Sequence, residues 1–280
     1  MAYREVYDLG RLKLAAAGID DPDLDARLLL EYVCNTDRTV LYADPGRDIP
    51  EDDLKRYDDL IAKRASHIPL QHLTGIQGFM GLDFCVNGDV LIPRADTEIL
   101  VEEVLKNLHD GMSILDMCTG SGCILLSLLH YSNNCVGTGA DLSEKALEVA
   151  RLNADKLGIS ADFIHSDLFE NVEGRLDIIV SNPPYIRTCE IEELMPEVRD
   201  HEPFMALNGK EDGFSFYRAI VKDAKDHLVQ GGILAMEIGC DEAAEVSRMM
   251  KDAGFVYVEV IKDLNGLDRV VTGRKKIDVR

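Results

Sequence analysis

The sequence predicts an α/β fold, in which a doubly wound, mostly parallel sheet is preceded by a small all-α region. After residue 112, short apolar runs alternate with amphipathic helical segments, as in parallel sheets that carry helices on both faces. A Gly-x-Gly pair follows the first apolar run, at the kind of turn where open parallel sheets bind ligands. The last stretch breaks the alternation, which predicts antiparallel C-terminal strands.

Helical periodicity dominates residues 1–72, which we expect to form a bundle of about four helices. Asp21 and Pro22 are a helix start signal, and Pro50 begins another helix. The apolar positions that support these two helices are Leu24, Leu28, Leu29 and Val33, then Leu54, Tyr57, Leu60 and Ile61. We expect this region to dock the substrate, with plain scaffolding as the alternative.

Two further regions follow. Residues 73–93 are predicted to be a hairpin linker, because the stretch from Gly75 to Pro93 is glycine-rich and alternates in polarity. Residues 94–280 begin with a helix that Asp96 or Thr97 caps. Their predicted parallel strands are SILDMC, NCVGTGAD, ADFIHSDL, LDIIVSN and GGILAMEIG, and an LNG turn joins two antiparallel strands in the tail.

The composition carries no signal for a membrane, a disulfide framework or a metal. No stretch reaches the ~18 uninterrupted apolar residues of a membrane span, and the charged N-terminal stretch lacks the apolar centre of a signal peptide. We therefore expect a cytoplasmic protein. The seven cysteines include no Cys-x-x-Cys pair, so neither disulfides nor a zinc site is predicted.

The formal net charge is −21, from 51 acidic and 30 basic residues. A nucleic-acid-binding protein normally needs a basic surface to neutralise phosphates, so this balance argues against direct binding of nucleic acid. A basic protein partner suits the charge better. We expect the chain to act as a monomer.

Glycines and acidic residues lie at the predicted carboxyl ends of the first three strands. Gly120 and Gly122 let a backbone approach a ligand where a Cβ atom would intrude, although turn geometry alone also explains them. Asp141 ends the second strand, 19 residues after Gly122. A carboxylate there can accept ribose hydroxyls or cap the helix that begins near Ser143. Asp167 follows the third strand, within reach of an adenine amino group.

These residues favour a nucleoside cofactor without phosphates. Leu125 occupies the position of the third glycine of a dinucleotide fingerprint, and no Gly-Lys-Ser/Thr phosphate loop is present. S-adenosyl-L-methionine fits, because its positive sulfonium suits an acidic pocket containing Asp116, Asp141 and Asp167. The expected product is S-adenosyl-L-homocysteine.

The segment SNPPYI, residues 181–186, ends the fourth predicted strand. Asn182 is expected to face the glycine turn, because the fourth strand of a doubly wound sheet lies beside the first. The Asn182 side-chain oxygen and the Pro183 carbonyl form an acceptor pair that can hold both N–H groups of a planar amide and aim its nitrogen. Tyr185 adds an aromatic wall and a π-face for positive charge. A rigid strand cap is the structural alternative.

SNPPYI together with DMCTGSG resembles the class I methyltransferases that modify exocyclic or amide nitrogens. The segments LIPRADTEIL, HEPFMALNGKEDGFSFYR, LAMEIG and LNGLDRVV resemble the release factor glutamine methyltransferases of bacteria. The resemblance implies a class I methyltransferase domain over residues 94–280. It also implies methylation of the glutamine in the Gly-Gly-Gln motif of peptide-chain release factors, which would be the protein partners.

The resemblance implies roles for individual residues. Arg94 and Glu98 would line or brace the site, with a helix-start salt bridge as the alternative. Glu202 and Pro203 would lie in a loop over the substrate, or in a plain surface turn. The implied cofactor-binding residues are Cys118, Thr119, Gly120, Ser121, Gly122, Asp141, Asp167, Leu168 and Asn182. The implied substrate pocket is Asn182, Pro183, Pro184 and Tyr185, of which Asn182, Pro183 and Tyr185 are expected to be catalytic.

Three positions depart from the family pattern. Cys118 stands where the family has the first glycine of the turn, and Ala95 replaces a proline. Leu168 occupies a position that is often aromatic, which leaves adenine packing to aliphatic contact or to Phe169. None of these changes removes a catalytic group.

Two other functions compete with this one. An adenine or guanine amino-methyltransferase acting on nucleic acid would use the same Asn-Pro-Pro-Tyr segment. The net charge of −21 and the lack of a basic or aromatic-rich insert oppose it. A non-catalytic scaffold that binds the cofactor would have no physical need for the Asn182 amide.

Overall fold

The computed structural model describes residues 1–277 of the chain. These residues divide into two compact units. The first comprises residues 1–76 and 195–201, and the second comprises residues 77–194 and the chain from Glu202 onward. Among the described residues, no helix combines the length and the apolar character needed to cross a membrane.

The N-terminal part of the first unit is helical, as predicted. Its helices are α1 (Tyr3–Ala16), α2 (Pro22–Cys34), α3 (Arg38–Ala43), α4 (Glu51–Ala65) and α5 (Leu70–Thr74). Asp21 caps α2 by accepting the Leu24 N–H at 3.1 Å, and Pro50 directly precedes α4. The helix start signals in the sequence were therefore correct.

The predicted buried face of α2 was only partly right. Leu29 and Val33 are buried, but Leu24 is exposed. The buried set also includes Ala26 and Leu30, because positions 26, 29, 30 and 33 follow the i, i+3, i+4, i+7 spacing of one helix face. On α4, the predicted Tyr57 and Ile61 are both buried.

The remaining elements follow the predicted rhythm. The hairpin is β1 (Ile76–Phe79) and β2 (Leu82–Cys85), and the helices are α6 (Glu98–Leu105), α7 (Cys123–His130), α8 (Glu144–Leu157), α9 (Pro196–Arg199), α10 (Phe204–Leu207), α11 (Ser215–His227) and α12 (Ala243–Asp252). The main sheet contains β3 (Ser113–Met117), β4 (Val136–Asp141), β5 (Asp162–His165), β6 (Leu176–Ser181), β7 (Leu228–Glu237), β8 (Phe255–Lys262) and β9 (Asp268–Lys275). The short helices α9 and α10 were not predicted, since four residues show no periodicity.

The main sheet has the strand order β5-β4-β3-β6-β7-β9-β8. Strands β3 to β7 pair in parallel, whereas β9 runs antiparallel to β7 and β8 antiparallel to β9. The predicted fold class is thus confirmed. The strand order reverses between β3 and β6, and doubly wound sheets bind ligands at such a switch point, beyond the carboxyl ends of the strands.

Each face of the main sheet has its own core, because neighbouring strand residues point to opposite faces. Ile114 on β3 packs with Leu100 and Val104 of α6. Its neighbour Leu115 belongs to the opposite core, with Tyr217 of α11. The helices on both faces hold the strand ends in fixed positions.

Candidate active site

A cavity in the second unit lies at the carboxyl ends of β3, β4 and β6. Most of the predicted site residues line it, namely Cys118, Thr119, Gly120, Ser121, Asp141, Asp167, Leu168, Asn182 and Pro184. Gly122, Pro183 and Tyr185 are not part of the lining. Strands β3 and β6 pair with Met117 opposite Ser181, which confirms that Asn182 lies beside the glycine turn.

The two glycines of the turn, Gly120 and Gly122, have different structural roles. Both have left-handed backbones, with φ of 55° at Gly120 and 78° at Gly122. A Cβ atom added at Gly120 would meet no atom within 4 Å, whereas one at Gly122 would lie 3.2 Å from Cβ of Ala150. Gly120 therefore leaves open space at the cavity, and Gly122 permits close packing of α7 against α8.

Asp141 ties the glycine turn to the start of α8. Its Oδ2 accepts the Gly120 N–H at 2.9 Å, and its Oδ1 accepts the Ser143 N–H at 2.9 Å. Burial raises the pKa of Asp141, and these backbone hydrogen bonds partly oppose the rise. Ser143 itself caps α8 through Ala146. Each carboxylate oxygen can accept a further hydrogen bond, and Asp141 lines the cavity.

The predicted acidic pocket was partly wrong. Asp141 and Asp167 line the cavity, but Asp116 does not. Asp116 is completely buried on β3 beneath the turn. Its Oδ2 accepts the Thr119 hydroxyl at 2.6 Å and the Leu125 N–H at 3.3 Å, while Oδ1 has no hydrogen-bond partner. Burial raises the pKa of Asp116 to about 7.

The residues of the Asn-Pro-Pro-Tyr segment point in different directions. The Asn182 Nδ2 donates to the Thr97 hydroxyl oxygen at 3.4 Å, and both residues line the cavity. The Tyr185 hydroxyl donates to Oε1 of Glu237 at 3.5 Å. Burial raises the pKa of Tyr185 well above its ordinary value, so its hydroxyl stays protonated.

Residues 207–213, which lie within the segment HEPFMALNGKEDGFSFYR that carries the family resemblance, contact the backbone of Tyr185 and Ile186. The Ile186 N–H donates to the Leu207 carbonyl at 3.0 Å, and the Gly209 N–H donates to the Ile186 carbonyl at 2.8 Å. A Cβ atom at Gly209 would lie 2.7 Å from the backbone of Tyr185, and one at Gly213 would lie 2.7 Å from its carbonyl oxygen. These two glycines therefore fix the backbone path after Pro184.

The residues predicted to line, brace or cover the site, which are Arg94, Glu98, Glu202 and Pro203, separate into two groups. Arg94 lines the cavity and its Nη2 lies 2.6 Å from Oε1 of Glu202. Glu202 is buried, which raises its pKa against the opposing effect of Arg94. Pro203 lines the cavity. Glu98 instead accepts the Met80 N–H at 2.6 Å, so it braces the hairpin and is not part of the lining.

Asn153 on α8 is a further support that the sequence did not reveal. It is fully buried, and its Oδ1 accepts the Cys85 N–H at 2.7 Å. Its Nδ2 donates to the carbonyls of Cys85 and Ser121 at 3.0 Å and 2.9 Å. One side chain thus joins the hairpin to the glycine turn.

Two departures from the family pattern fall on unusual backbone. Cys118 has φ of 62° and Leu168 has φ of 49°, in the left-handed region that favours glycine. This explains why a glycine suits position 118. Phe169, predicted as a possible adenine contact, is buried against the ring of His227 with centroids 4.7 Å apart, and it does not line the cavity.

The main sheet and the helices that cover it have the fold of the class I methyltransferases. A solved methyltransferase from Pyrococcus furiosus has the same fold, with a TM-score of 0.53, 20% identity, and coverage of 70% of this chain and 90% of that one. Two family models match the chain, "PrmC N-terminal domain" over residues 5–75 and "Methyltransferase small domain" over residues 94–197.

Relatives narrow this class. A release factor glutamine methyltransferase from Agrobacterium fabrum is 41% identical over 95% of this chain and 94% of its own length. One from Clostridium acetobutylicum is 44% identical over 88% of this chain and 89% of its own length. The chain belongs to the release factor glutamine methyltransferase family.

Proposed function

We propose that this protein methylates the side-chain amide nitrogen of the glutamine in the Gly-Gly-Gln motif of peptide-chain release factors. The methyl donor is S-adenosyl-L-methionine and the second product is S-adenosyl-L-homocysteine. One observation carries the proposal: Asn182 and the glycine turn line a single cavity at the ends of the paired strands β6 and β3. Similarity to its relatives over nearly the whole chain supports the choice of substrate.

The residues of the cavity fit this cofactor. The open side of Gly120 offers room for a ligand against the backbone. Asp141 and Asp167 place carboxylates in the lining, as acceptors for the ribose hydroxyls and the adenine amino group. Cys118, Thr119 and Ser121 complete the turn that would hold the methionine part. Bound S-adenosyl-L-methionine supplies an electrophilic methyl group on a positively charged sulfur.

The chain's own contribution is orientation. An amide nitrogen is a weak nucleophile because its lone pair is delocalised into the carbonyl. In our proposal the Asn182 side-chain oxygen and the Pro183 carbonyl accept its two N–H groups, and Tyr185 limits where the substrate can move. Of these three residues only Asn182 is part of the cavity lining. Such positioning lowers the barrier without a strong base. A nitrogen–carbon bond forms as the sulfur–carbon bond breaks, and the amide proton leaves to solvent afterwards.

The proposal extends to the other regions of the chain. The helices of residues 1–72 orient the release factor, residues 73–93 link them to the catalytic region, and residues 94–280 bind the cofactor and carry out transfer. The protein acts as a monomer in the cytoplasm, where release factors work, and binds no nucleic acid directly. The net charge of −21 suits a basic segment of a protein partner.

Mass spectrometry of the acceptor tests this function. The protein is incubated with S-adenosyl-L-methionine carrying a labelled methyl group and with a recombinant release factor, stripped RNA or DNA. We expect the Gly-Gly-Gln peptide alone to gain one methyl group, which adds about 14 mass units for CH₂ plus the mass of the isotopic label. Label in RNA or DNA but not in the release factor would instead establish the nucleic-acid alternative.

A variant of Asn182 tests whether the site is catalytic. Asn182→Ala should lower turnover by at least about a hundredfold, because the acceptor for the substrate amide is lost. Calorimetry should show that this variant still binds S-adenosyl-L-homocysteine. Asn133→Ala, at an exposed asparagine outside the cavity lining, is the matched control. Transfer by Asn182→Ala at the wild-type rate would refute the assignment.

A further inference from the structure

Two of the segments that line the cavity lie far apart in the sequence. The glycine turn contributes Gly120 and Ser121, and the segment that follows β2 contributes residues 89–91. We call these two segments the walls of the cavity. The separation of the two walls determines the space that a ligand between them can occupy, so a connection between the walls bears directly on binding.

Asn153 of α8 connects the two walls through its fully buried side-chain amide. Its Oδ1 accepts the Cys85 N–H at 2.7 Å. Its Nδ2 donates to the Cys85 carbonyl at 3.0 Å and to the Ser121 carbonyl at 2.9 Å. An amide rotated by half a turn would set N–H against N–H at Cys85, so a single orientation satisfies all three hydrogen bonds.

At Cys85, this amide takes the place of a neighbouring strand. Cys85 is the last residue of β2, which pairs with β1 in a two-stranded sheet. An opposing residue in an antiparallel sheet accepts an N–H and donates to a carbonyl, and Asn153 makes both of these contacts. Val86 and Val90, which follow, are buried against α8. The chain is therefore fixed to α8 on its way into the wall at residues 89–91.

At Ser121, the same amide holds a peptide unit of the glycine turn. Ser121 is buried and precedes α7. The Leu125 N–H, four residues further on, donates to Oδ2 of Asp116 at 3.3 Å. The donor that the structure gives to the Ser121 carbonyl is Nδ2 of Asn153. This bond fixes the peptide unit that joins Ser121 to Gly122, and with it the path of the turn along the cavity.

We propose that Asn153 is a positioning residue for the cofactor, which holds the glycine turn and residues 89–91 at the separation that the bound cofactor requires. The inference rests on the proposed function for the identity of that cofactor. Asn153 is not part of the cavity lining, so it acts through the two walls and not by contact with the ligand. Its contribution is to affinity, because a cavity that is already shaped costs less to order on binding.

Two variants of nearly unchanged size test this role. In its ionised form, the side chain of Asn153→Asp accepts the Cys85 N–H but sets an oxygen against the carbonyls of Cys85 and Ser121. Asn153→Leu removes all three hydrogen bonds. In both variants, the Kd for S-adenosyl-L-homocysteine, measured by calorimetry at pH 8, should rise by about tenfold to a hundredfold. A wild-type Kd in folded Asn153→Leu would overturn the proposal.

Asn107→Asp is the matched control. Asn107 lies in the same unit outside the cavity lining, donates to the Glu103 carbonyl at 3.2 Å and accepts from Arg274 at 2.7 Å. This variant should bind S-adenosyl-L-homocysteine as the wild type does.

Steady-state kinetics separate positioning of the cofactor from a role in transfer. In Asn153→Asp, KM for S-adenosyl-L-methionine should rise, while kcat at saturating cofactor should stay within about threefold of the wild-type value. Asn182→Ala should show the reverse pattern, because that residue is proposed to act on the substrate amide. A lower kcat in Asn153→Asp with an unchanged KM would contradict the proposal.

Hydrogen exchange followed by NMR requires neither methyl transfer nor a variant that folds. Cys85 is not part of the cavity lining, but a ligand that stabilises the glycine turn should also protect the Cys85 N–H through Asn153. In the wild type, S-adenosyl-L-homocysteine should slow exchange of this N–H at least about fivefold more than that of the Asn107 N–H, which donates to the Val104 carbonyl.

The extra protection of Cys85 should be absent in Asn153→Leu. Exchange at Cys85 that does not respond to S-adenosyl-L-homocysteine in the wild type would overturn the proposal even if release factors are methylated. The expected protection, together with weaker binding by Asn153→Leu, would support the proposal even if the methylated substrate proves to be another amide.

Discussion

Buried charge is treated differently in the two units of this protein. In the first unit, Arg64 pairs with Asp25 at 2.6 Å and with Glu197 at 3.0 Å, and Glu197 also meets His67 at 2.9 Å. In the second unit, the buried carboxyl groups Asp116, Glu202 and Glu237 each keep one oxygen without a hydrogen-bond partner.

This difference separates structural from functional use of charge. A buried ion pair with satisfied hydrogen bonds specifies a local packing arrangement and does little else. Under-satisfied carboxyl groups destabilise the folded state, and they cluster where a site needs a fixed field or a directed acceptor. Asp116 accepts the Thr119 hydroxyl of the glycine turn, Glu202 pairs with Arg94 at the cavity, and Glu237 accepts the Tyr185 hydroxyl.

The largest expected effect breaks the satisfied network of the first unit. Arg64→Met keeps much of the side-chain volume but leaves Asp25 and Glu197 without their guanidinium. We expect a loss of about 3–5 kcal/mol in the free energy of unfolding, measured by urea denaturation. Lys63→Met, at an exposed pair with Asp59, is the control and should cost less than about 1 kcal/mol. Equal losses in the free energy of unfolding would show that the buried ion pairs of Arg64 contribute no more to stability than the exposed pair of Lys63.

Asp116→Asn should have the opposite sign, because it removes an under-satisfied charge in the second unit. Burial raises the pKa of Asp116 to about 7 in the folded state. Its contribution to stability is therefore fully present below its ordinary pKa of 3.8 and is lost as pH rises through about 7. At pH 8 the variant should be more stable than the wild type by about 1–3 kcal/mol.

The same measurement at pH 4.5 is the control for Asp116→Asn. At this pH the folded wild type, like the variant, carries a mostly neutral group at position 116, so the gain seen at pH 8 should largely disappear. Urea titrations at the two pH values decide the matter. A gain of the same size at both would mean that packing, and not charge, determines the effect of the substitution.

The smallest expected effect concerns the left-handed backbone of Cys118. Cys118→Gly should change the free energy of unfolding by less than about 1 kcal/mol, since relief of backbone strain offsets the added freedom of the unfolded chain. Cys118→Val should cost about 2 kcal/mol, because β-branched residues disfavour positive φ. At Cys135, which is not among the residues with positive φ, Cys135→Gly should be more damaging than Cys135→Val. Thermal unfolding of the four variants checks this order.

Most of the fold was predictable because its signals are local. The alternation of apolar runs and amphipathic helices gave the parallel strands, and the LNG turn marked the antiparallel tail. The short helices α9 and α10 escaped prediction because four residues cannot show a period. The buried face of α2 was misplaced because Leu24 is apolar yet exposed, and apolar residues on the surface are common.

The site was predictable where it depends on the ends of strands. Asn182 directly follows β6, Asp141 is the last residue of β4, and Gly120 lies in the turn after β3. The pairing of these parallel strands therefore brings the three residues to one cavity. The supporting residues were not predictable in this way. Asn153 acts from the middle of a helix on Cys85 and Ser121, and no local pattern marks a buried amide that joins segments distant in sequence.

The first unit is not formed by one continuous stretch of the chain. Its second segment, residues 195–201, is encoded after the Asn-Pro-Pro-Tyr segment, and that segment carries the Glu197 that pairs with Arg64 and His67. Removal of residues 1–76 would leave residues 195–201 without the helices with which they form the first unit. A chimaera that takes residues 1–76 from a homologue would keep the partners of Glu197 matched only if residues 195–201 came from the same homologue.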